Sequence, residues 1–199
     1  EDVIVATDDT RIVKAVQSFG GHVVLTSKDH KSGSDRIAEV VSNMTCRVIV
    51  NIQGDEPMIR HQMLDDLVQP FLKDRGMVMA TLSHRIHDNS EINNPNVVKV
   101  VVANDGNALY FSRSPIPWAD GAHCYYKHIG VYAYTRDFLL TWTKLPQSPL
   151  EKAERLEQLR ALENGYRIKV IETGFDTVSV DTEEDLKKMR EILCRNISL

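Results

Sequence analysis

The stretch Arg47-Val48-Ile49-Val50-Asn51-Ile52-Gln53-Gly54-Asp55-Glu56-Pro57 sets the pattern for the whole chain. Its first six residues are largely apolar and β-branched, which is typical of a strand covered on both faces. Gly54 and Pro57 then interrupt regular structure, and residues 61–72 carry apolar side chains at helical spacing. The stretch therefore predicts a strand, a polar loop and a helix, in that order.

The same strand-then-helix order occurs on both sides of this stretch. Further strands are predicted at 3–7, 22–25 and 77–82, and the helices that follow them at 10–19, 34–44 and near 88–93. Such alternation predicts an α/β fold of Rossmann-like type, in which helices flank a mixed but mainly parallel sheet.

The second half of the chain departs from this order. Two strand-like runs, 97–102 and 108–112, flank Asp105-Gly106, which is typical of a hairpin and predicts an antiparallel extension of the sheet. A proline-containing loop follows at 114–118. The remaining predicted elements are strands at 129–134, 167–171 and 178–180, one amphipathic helix at 148–164 and a last helix at 182–193.

Composition limits the class of protein. The length of 199 residues predicts one domain, residues 1–199, and the 24 basic against 28 acidic residues give no basic patch for nucleic acid. No apolar run approaches the ~20 residues that span a membrane. Three widely spaced cysteines favour a reducing compartment. We therefore expect a cytoplasmic protein with a small-molecule partner.

Two aspartates directly follow predicted strands, where ligands of open α/β sheets bind. Asp55 lies after the strand at 47–52, and Asp181 after the one at 178–180. Two such carboxylates suit Mg²⁺, which takes its other ligands from water and phosphate. The alternative is that both are turn or helix-cap residues, and Asp181 or Thr182 is well placed to cap the last helix.

A second polar loop, Ser32-Gly33-Ser34-Asp35-Arg36, opens the helix predicted at 34–44. Gly33 and Ser34 can present backbone N–H groups and a hydroxyl to a phosphate or a base, Arg36 adds charge, and Gly54 permits a close backbone approach. The loop lacks the P-loop pattern, and a solvated helix cap with Arg36 in an ion pair explains it equally well.

Other polar residues carry less information on their own. Arg113 suits a substrate carboxylate, whereas His128 and the helical Glu157 and Gln158 have ordinary structural explanations. The sequence contains no Gly-x-Ser-x-Gly, His-x-x-x-His or Gly-x-Gly-x-x-Gly pattern, which argues against serine hydrolases, helical zinc hydrolases and dinucleotide oxidoreductases.

Several blocks together resemble the 3-deoxy-manno-octulosonate (Kdo) cytidylyltransferase family, also called CMP-Kdo synthetases. They include Val50-Asn51-Ile52-Gln53-Gly54-Asp55-Glu56-Pro57, Asn94-Pro95-Asn96-Val97-Val98-Lys99-Val100, Ala108-Leu109-Tyr110-Phe111-Ser112-Arg113, His128-Ile129-Gly130-Val131-Tyr132 and Leu156-Glu157-Gln158-Leu159-Arg160. These blocks follow one another in the family's order along the chain.

The resemblance implies a nucleotide-diphosphosugar transferase fold, a homodimer, and the reaction of CTP with Kdo to give CMP-Kdo and pyrophosphate for lipopolysaccharide synthesis. It implies that Asp55 and Asp181 bind Mg²⁺ and that the nucleotide lies near Gly33, Ser34, Arg36 and Gly54. The positions that match the family's sugar-acid site are Gln53, Arg113, His128, Tyr132, Glu157 and Gln158, and Arg113 counts with the two aspartates as catalytic.

One family feature has no match. Members begin with a strand and an arginine- and lysine-containing triphosphate loop, and this chain starts at what resembles their second strand. We therefore expect the chain as given to be inactive alone, or to be part of an active enzyme. Two alternatives stay open: a cytidylyltransferase for 8-amino-Kdo or another sugar acid, and a non-catalytic binding domain.

Overall fold

The computed structural model describes residues 2–121, 123–177, 179–180 and 182–197. It begins with two parallel strands, each followed by a helix. These are strand β1 (Ile4–Thr7), helix α1 (Thr10–Ser18), strand β2 (His22–Leu25) and helix α2 (Gly33–Val41). Asp9 and Ser32 accept backbone hydrogen bonds at the starts of α1 and α2, so both helices begin at capping residues.

The larger sheet has six strands: β3 (Val48–Asn51), β4 (Met79–Arg85), β5 (Lys99–Val102), β6 (Ala108–Ser112), β7 (Tyr126–Thr135) and β8 (Lys169–Glu172). Its order is β6-β5-β7-β4-β8, and β3 also pairs with β7. Strand β7 is antiparallel to β3, β4 and β5, and β8 is parallel to β4. Strands β3, β4, β5 and β8 therefore run in one direction. The prediction of a mixed α/β sheet is confirmed.

Helices cover both faces of this sheet. Apolar residues of α3 (His61–Lys73) pack on one face, and those of α4 (Arg136–Trp142) and α6 (Gln158–Glu163) pack on the other. Helix α4 was missed by the sequence analysis. A short 3₁₀ helix, Asn89–Glu91, lies where a short helix was predicted.

The predicted hairpin is confirmed as β5 and β6. They pair antiparallel, and Gly106 in the turn has φ +78°, a conformation that glycine adopts readily. The loop at 114–118 contains no helix or strand, as predicted. Towards the end of the chain, Val178 lies outside the described residues, and Ser179 and Val180 form no strand with the part of the chain that is described.

The single helix predicted at 148–164 is wrong. The segment forms α5 (Pro149–Glu154) and α6, separated by Arg155 in the left-handed conformation, φ 56°. Arg160 makes a bidentate ion pair with Glu151, with N···O distances of 2.8 and 2.6 Å, and both side chains are buried. Nine residues span two and a half helical turns, so a continuous helix would place these two side chains on opposite faces.

The last helix, α7 (Glu183–Ile197), begins close to its predicted start. None of the helices within the described ranges is both long and apolar enough to cross a lipid bilayer. Among the described residues, β1 has no strand partner besides β2, and β3 has none besides β7. The expectation of a further strand before β1 stays a prediction.

Candidate active site

The start of helix α2 lies against the polar loop that follows β3. A Cβ atom added at Gly33 would stand 3.1 Å from both the Nε2 and the Oε1 atoms of Gln53, so glycine at this position leaves room for the Gln53 side chain. Gln53 donates in turn to Oδ1 of the buried Asn51 at 2.8 Å. The structure therefore brings Gly33 of the predicted nucleotide region against Gln53 of the predicted sugar-acid site.

Helix α2 also contacts the residues between α5 and α6. The hydroxyl of Ser34 donates to Oε2 of Glu157 at 3.0 Å, across 123 residues of sequence. Burial raises the pKa of Glu157, and this rise is opposed by hydrogen bonds from Ser32 and Ser34 and by the charge of Arg160. Glu157 is thus half-buried, and its carboxylate faces α2 because the chain turns at Arg155 between α5 and α6.

Three aromatic residues of β7, His128, Tyr132 and Tyr134, lie next to one another. The rings of His128 and Tyr132 have centroids 5.3 Å apart, and those of Tyr132 and Tyr134 are stacked at 5.8 Å. Burial lowers the pKa of His128 to about 3, so its imidazole is neutral at physiological pH. Burial, with the neighbouring Tyr134 and Glu157, raises the pKa of Tyr132 well above its usual value. Both rings therefore act as neutral polar groups.

Gln158 begins helix α6 beside Glu157. Its side chain is buried, and its Nε2 has no hydrogen-bond partner among the described residues. A buried amide donor without a partner is costly, so it is a group that a ligand or an ordered water would satisfy. We name Gln53, His128, Tyr132, Glu157 and Gln158 the sugar-acid wall.

Arg113 lies at the end of β6 and is held by backbone carbonyls. Its Nε donates to the Glu154 carbonyl and its Nη1 to the Pro95 carbonyl, each at 2.9 Å. The fully buried Lys99 donates to the Arg113 carbonyl and to those of Asn94 and Val97. Two of the five guanidinium N–H groups are thus used for positioning, and the structure shows no hydrogen bond from the other three to a described residue.

Arg36 binds the ends of the first two strands. Its Nη2 donates to Asp8 Oδ2 at 3.0 Å, and its Nη1 donates to the Thr26 hydroxyl and the Ser27 carbonyl. This ion pair matches the structural alternative for Arg36, and it connects the loops after β1 and β2. The predicted contact of Arg36 with a nucleotide stays a prediction.

Asp55 and Gly54 lie exposed in the loop after β3. Asp181 falls outside the described residues, but Val180, which precedes it, donates its N–H to the carbonyl of Asp55 at 2.8 Å. Within the described ranges there is no group of three or more His, Cys, Asp or Glu side chains that could hold a metal ion. A single exposed carboxylate such as that of Asp55 can still serve Mg²⁺, because this ion uses few protein ligands and keeps several water ligands.

The structure thus brings Gln53 and Glu157 against Gly33 and Ser34 at the start of α2, and it places Tyr132 beside His128 and near Glu157. The sequence analysis missed Asn51, Thr81, Tyr134 and Glu154, which contact predicted site residues. Asn51 carried a usable signal, because an amide inside an apolar strand is rare without a partner. Thr81 and Glu154 carried none, because their partners are distant in sequence.

The candidate site combines residues of β7 with the carboxylate loop after β3 and the polar start of α2, and the comparisons with known proteins place the chain among the nucleotidyltransferases. The family model described as "Cytidylyltransferase" matches residues 1–170. A solved structure described as CMP:2-keto-3-deoxy-manno-octonic acid synthetase complexed with CTP superimposes with a TM-score of 0.94 at 44% identity. That comparison covers 98% of this chain and 82% of the other.

Two curated relatives are called 3-deoxy-manno-octulosonate cytidylyltransferase. The protein from Geobacter metallireducens is 49% identical, over 98% of this chain and 82% of its own length. The protein from Solibacter usitatus is 51% identical, over 98% and 78%. The chain belongs to the 3-deoxy-manno-octulosonate cytidylyltransferase family.

Proposed function

We propose that this chain carries out, as part of its enzyme, the transfer of a cytidylyl group from CTP to Kdo, giving CMP-Kdo and pyrophosphate. The observation that carries this proposal is the similarity, over 98% of the chain, to a synthetase whose structure holds CTP. Further support comes from the chain's own geometry, because Tyr132 lies beside His128 and near Glu157, while Gln53 and Glu157 both contact the start of α2.

The sugar-acid wall suits a polyhydroxylated acid. It offers neutral polar rings in His128 and Tyr132, a carboxylate acceptor in Glu157 and amide groups in Gln53 and Gln158. Hydroxyl groups can donate to Glu157 and accept from the amides. Arg113, whose backbone anchors fix its position, is our candidate for the substrate carboxylate, because a guanidinium binds a carboxylate through two parallel hydrogen bonds.

The reaction is a displacement at phosphorus. The anomeric hydroxyl oxygen of Kdo forms a bond to the α-phosphorus of CTP, the bond from that phosphorus to the bridging oxygen breaks, and pyrophosphate leaves, while the hydroxyl proton passes to water or to the leaving pyrophosphate. Asp55, with Asp181 as its predicted partner, would hold Mg²⁺. That ion would neutralise phosphate charge when bound. The chain's own task is to hold the sugar acid in line with the α-phosphate.

The proposal is tested by measuring pyrophosphate release from CTP with a panel of sugar acids, using the protein expressed from its complete coding sequence. We expect Kdo to give the highest kcat/KM and sialic acid to give little turnover. A preference for 8-amino-Kdo would keep the reaction but change the substrate. The absence of turnover with every acid, at saturating CTP and Mg²⁺, would support a binding domain and contradict the proposal.

Two further properties belong to the proposal. A homodimer through the hairpin extension is supported by two large apolar residues exposed there, Leu109 at 62% and Trp118 at 85%. Light scattering on wild type and the double variant Leu109→Ser with Trp118→Ser checks this, and equal masses for both would contradict it.

A cytoplasmic location is supported by the free thiols of Cys46 and Cys124, which suit a reducing compartment.

A further inference from the structure

The hydroxyl of Thr81 occupies an unusual position in the middle of the sheet. Thr81 is fully buried on β4, next to the register shift at which β7 bulges against it. Its Oγ1 stands 2.8 Å from the carbonyl oxygen of Val131, 3.2 Å from that of Ile129 and 2.9 Å from Nε2 of His128. One hydroxyl therefore contacts two carbonyls and one imidazole nitrogen.

The three contacts determine where the protons lie. Carbonyl oxygens only accept hydrogen bonds, so the single proton of Thr81 must point towards them, and mainly towards the nearer Val131 oxygen. If that proton pointed to His128 instead, two carbonyl oxygens would face the Thr81 oxygen at hydrogen-bond distance without a proton between them. Because the hydroxyl donates to a carbonyl, it can only accept from His128, and Nε2 must carry the imidazole proton.

This arrangement leaves Nδ1 of His128 as a hydrogen-bond acceptor. In a neutral imidazole one nitrogen donates and the other accepts, and burial keeps this ring neutral by lowering its pKa to about 3. The ring is held between Phe111, at a centroid distance of 5.1 Å, and Tyr132, at 5.3 Å. Among the residues that the structure describes, no group donates to Nδ1.

We propose that Thr81 is a positioning residue that fixes His128 as the Nε2–H tautomer, so that Nδ1 accepts a hydrogen bond from a hydroxyl of the sugar acid. The ligand part of this inference rests on the proposed function, whereas the tautomer does not. A bare Nδ1 attracts a hydroxyl and repels a carboxylate oxygen, because the latter has no proton to donate. His128 therefore recognises an alcohol group, and the substrate carboxylate must bind elsewhere.

The tautomer is measured by ¹⁵N NMR on the protein labelled at histidine, and the His128→Asn variant assigns the signals. In the wild type we expect His128 to show a protonated Nε2 and an unprotonated Nδ1. Thr81→Val, which keeps the shape but removes the acceptor, should shift part of the population to the Nδ1–H form. Thr81→Ser, which keeps the hydroxyl, should restore the wild-type signals. A wild-type proton on Nδ1 overturns the inference, even if Thr81→Val does not fold.

Kinetics then test the ligand part in the protein expressed from its complete coding sequence. Thr81→Val should raise KM for Kdo about ten-fold, which is the change in affinity expected when one neutral hydrogen bond is lost. The same variant should leave KM for CTP unchanged. Thr81→Ser should return KM for Kdo close to the wild-type value. A changed tautomer with an unchanged KM for Kdo would overturn the role in recognition. A wild-type protein with the expected tautomer but no Kdo-dependent turnover would instead contradict the proposed function.

Discussion

The sugar-acid wall and the Asp55 loop are built in opposite ways. Apart from Gln53 in the loop after β3, the wall lies on β7 and at the start of α6. Glu157 and the rings of His128 and Tyr132 are partly or wholly buried there, and their pKa values are shifted by that burial. Gly54 and Asp55 lie exposed in the loop after β3, and the carbonyl of Asp55 accepts a backbone hydrogen bond from Val180. One region is fixed by packing, and the other stays open to ligands.

This difference suits two kinds of ligand. A neutral polar pattern of hydroxyl groups is recognised best by groups that are fixed before binding, because fixed groups lose little entropy when the ligand arrives. Mg²⁺ and phosphates bring most of their own charge and water ligands, so the protein supplies only one or two accessible carboxylates. Substitutions in the loop should therefore affect chemistry more than folding, and substitutions in the wall should affect both.

The largest effect is expected for Asp55→Ala. Removing a metal ligand should lower kcat for pyrophosphate release by at least ~10³-fold, because metal stabilisation of transferring phosphates contributes several kcal/mol. The melting temperature should change little, because Asp55 is exposed. Asp65→Ala, at an exposed position on α3, is the matched control. Near-normal turnover of Asp55→Ala would show that Asp55 is not a metal ligand.

The next largest effect is expected in the wall, for Glu157→Gln. The change keeps the shape but removes a charged acceptor, and kcat/KM for Kdo should fall by roughly 10²-fold, the range of one charge-assisted hydrogen bond. KM for CTP should stay within a factor of about 2 if the two regions act separately. Glu172→Gln, at an exposed position on β8, provides the control. Equal losses towards both substrates would contradict the separation of wall and loop.

The pH dependence of stability sharpens the same contrast. The pKa of His128 is lowered to about 3 in the folded state, against 6.5 for an ordinary histidine. Below pH 6.5 the unfolded chain therefore binds a proton at His128 that the folded chain does not bind. The contribution of His128 to the free energy of unfolding, which is complete above pH 6.5, is lost as the pH falls towards 3. The slope is about 1.4 kcal/mol per pH unit at its steepest. Denaturant unfolding of His128→Asn should lack this component, and parallel curves for both proteins would contradict it.

The smallest effect is expected where wall and α2 touch, for Gly33→Ala. The added methyl group would stand 3.1 Å from the amide of Gln53, so that side chain must shift by a few tenths of an ångström. We expect kcat/KM for Kdo to fall by a factor of about 3 to 10, which corresponds to roughly 0.7 to 1.4 kcal/mol. Gly174→Ala is the control, since nothing lies within 4 Å of its added Cβ. Unchanged kinetics would show that Gln53 does not contact the substrate.

The sequence predicted the elements whose pattern is local. The strand at β3, the Asp105-Gly106 hairpin and the helix at α3 each follow from periodicity and turn residues within about 15 positions. The break at Arg155 could not be predicted in this way, because it depends on the buried ion pair of Glu151 and Arg160. Continuous helical periodicity favoured one helix, and only tertiary packing selects two.

The site shows the same limit. Its predicted residues came from strand ends and from family resemblance, which identified Gln53, His128 and Glu157. Their supporting contacts join residues 47 and 123 positions apart, through Thr81 with His128 and Ser34 with Glu157. No single-sequence pattern contains such pairs, so the roles of Thr81 and Ser34 required the structure.

The most direct test is a crystal structure of the protein expressed from its complete coding sequence, bound to CTP, Mg²⁺ and a Kdo analogue that lacks the anomeric hydroxyl. The account predicts a carboxylate oxygen of Asp55 about 2.0–2.1 Å from Mg²⁺, the distance typical of that ion. It also predicts sugar hydroxyls within hydrogen-bond distance of His128 Nδ1 and Glu157. A sugar acid bound away from the wall, or Mg²⁺ held without Asp55, would contradict it.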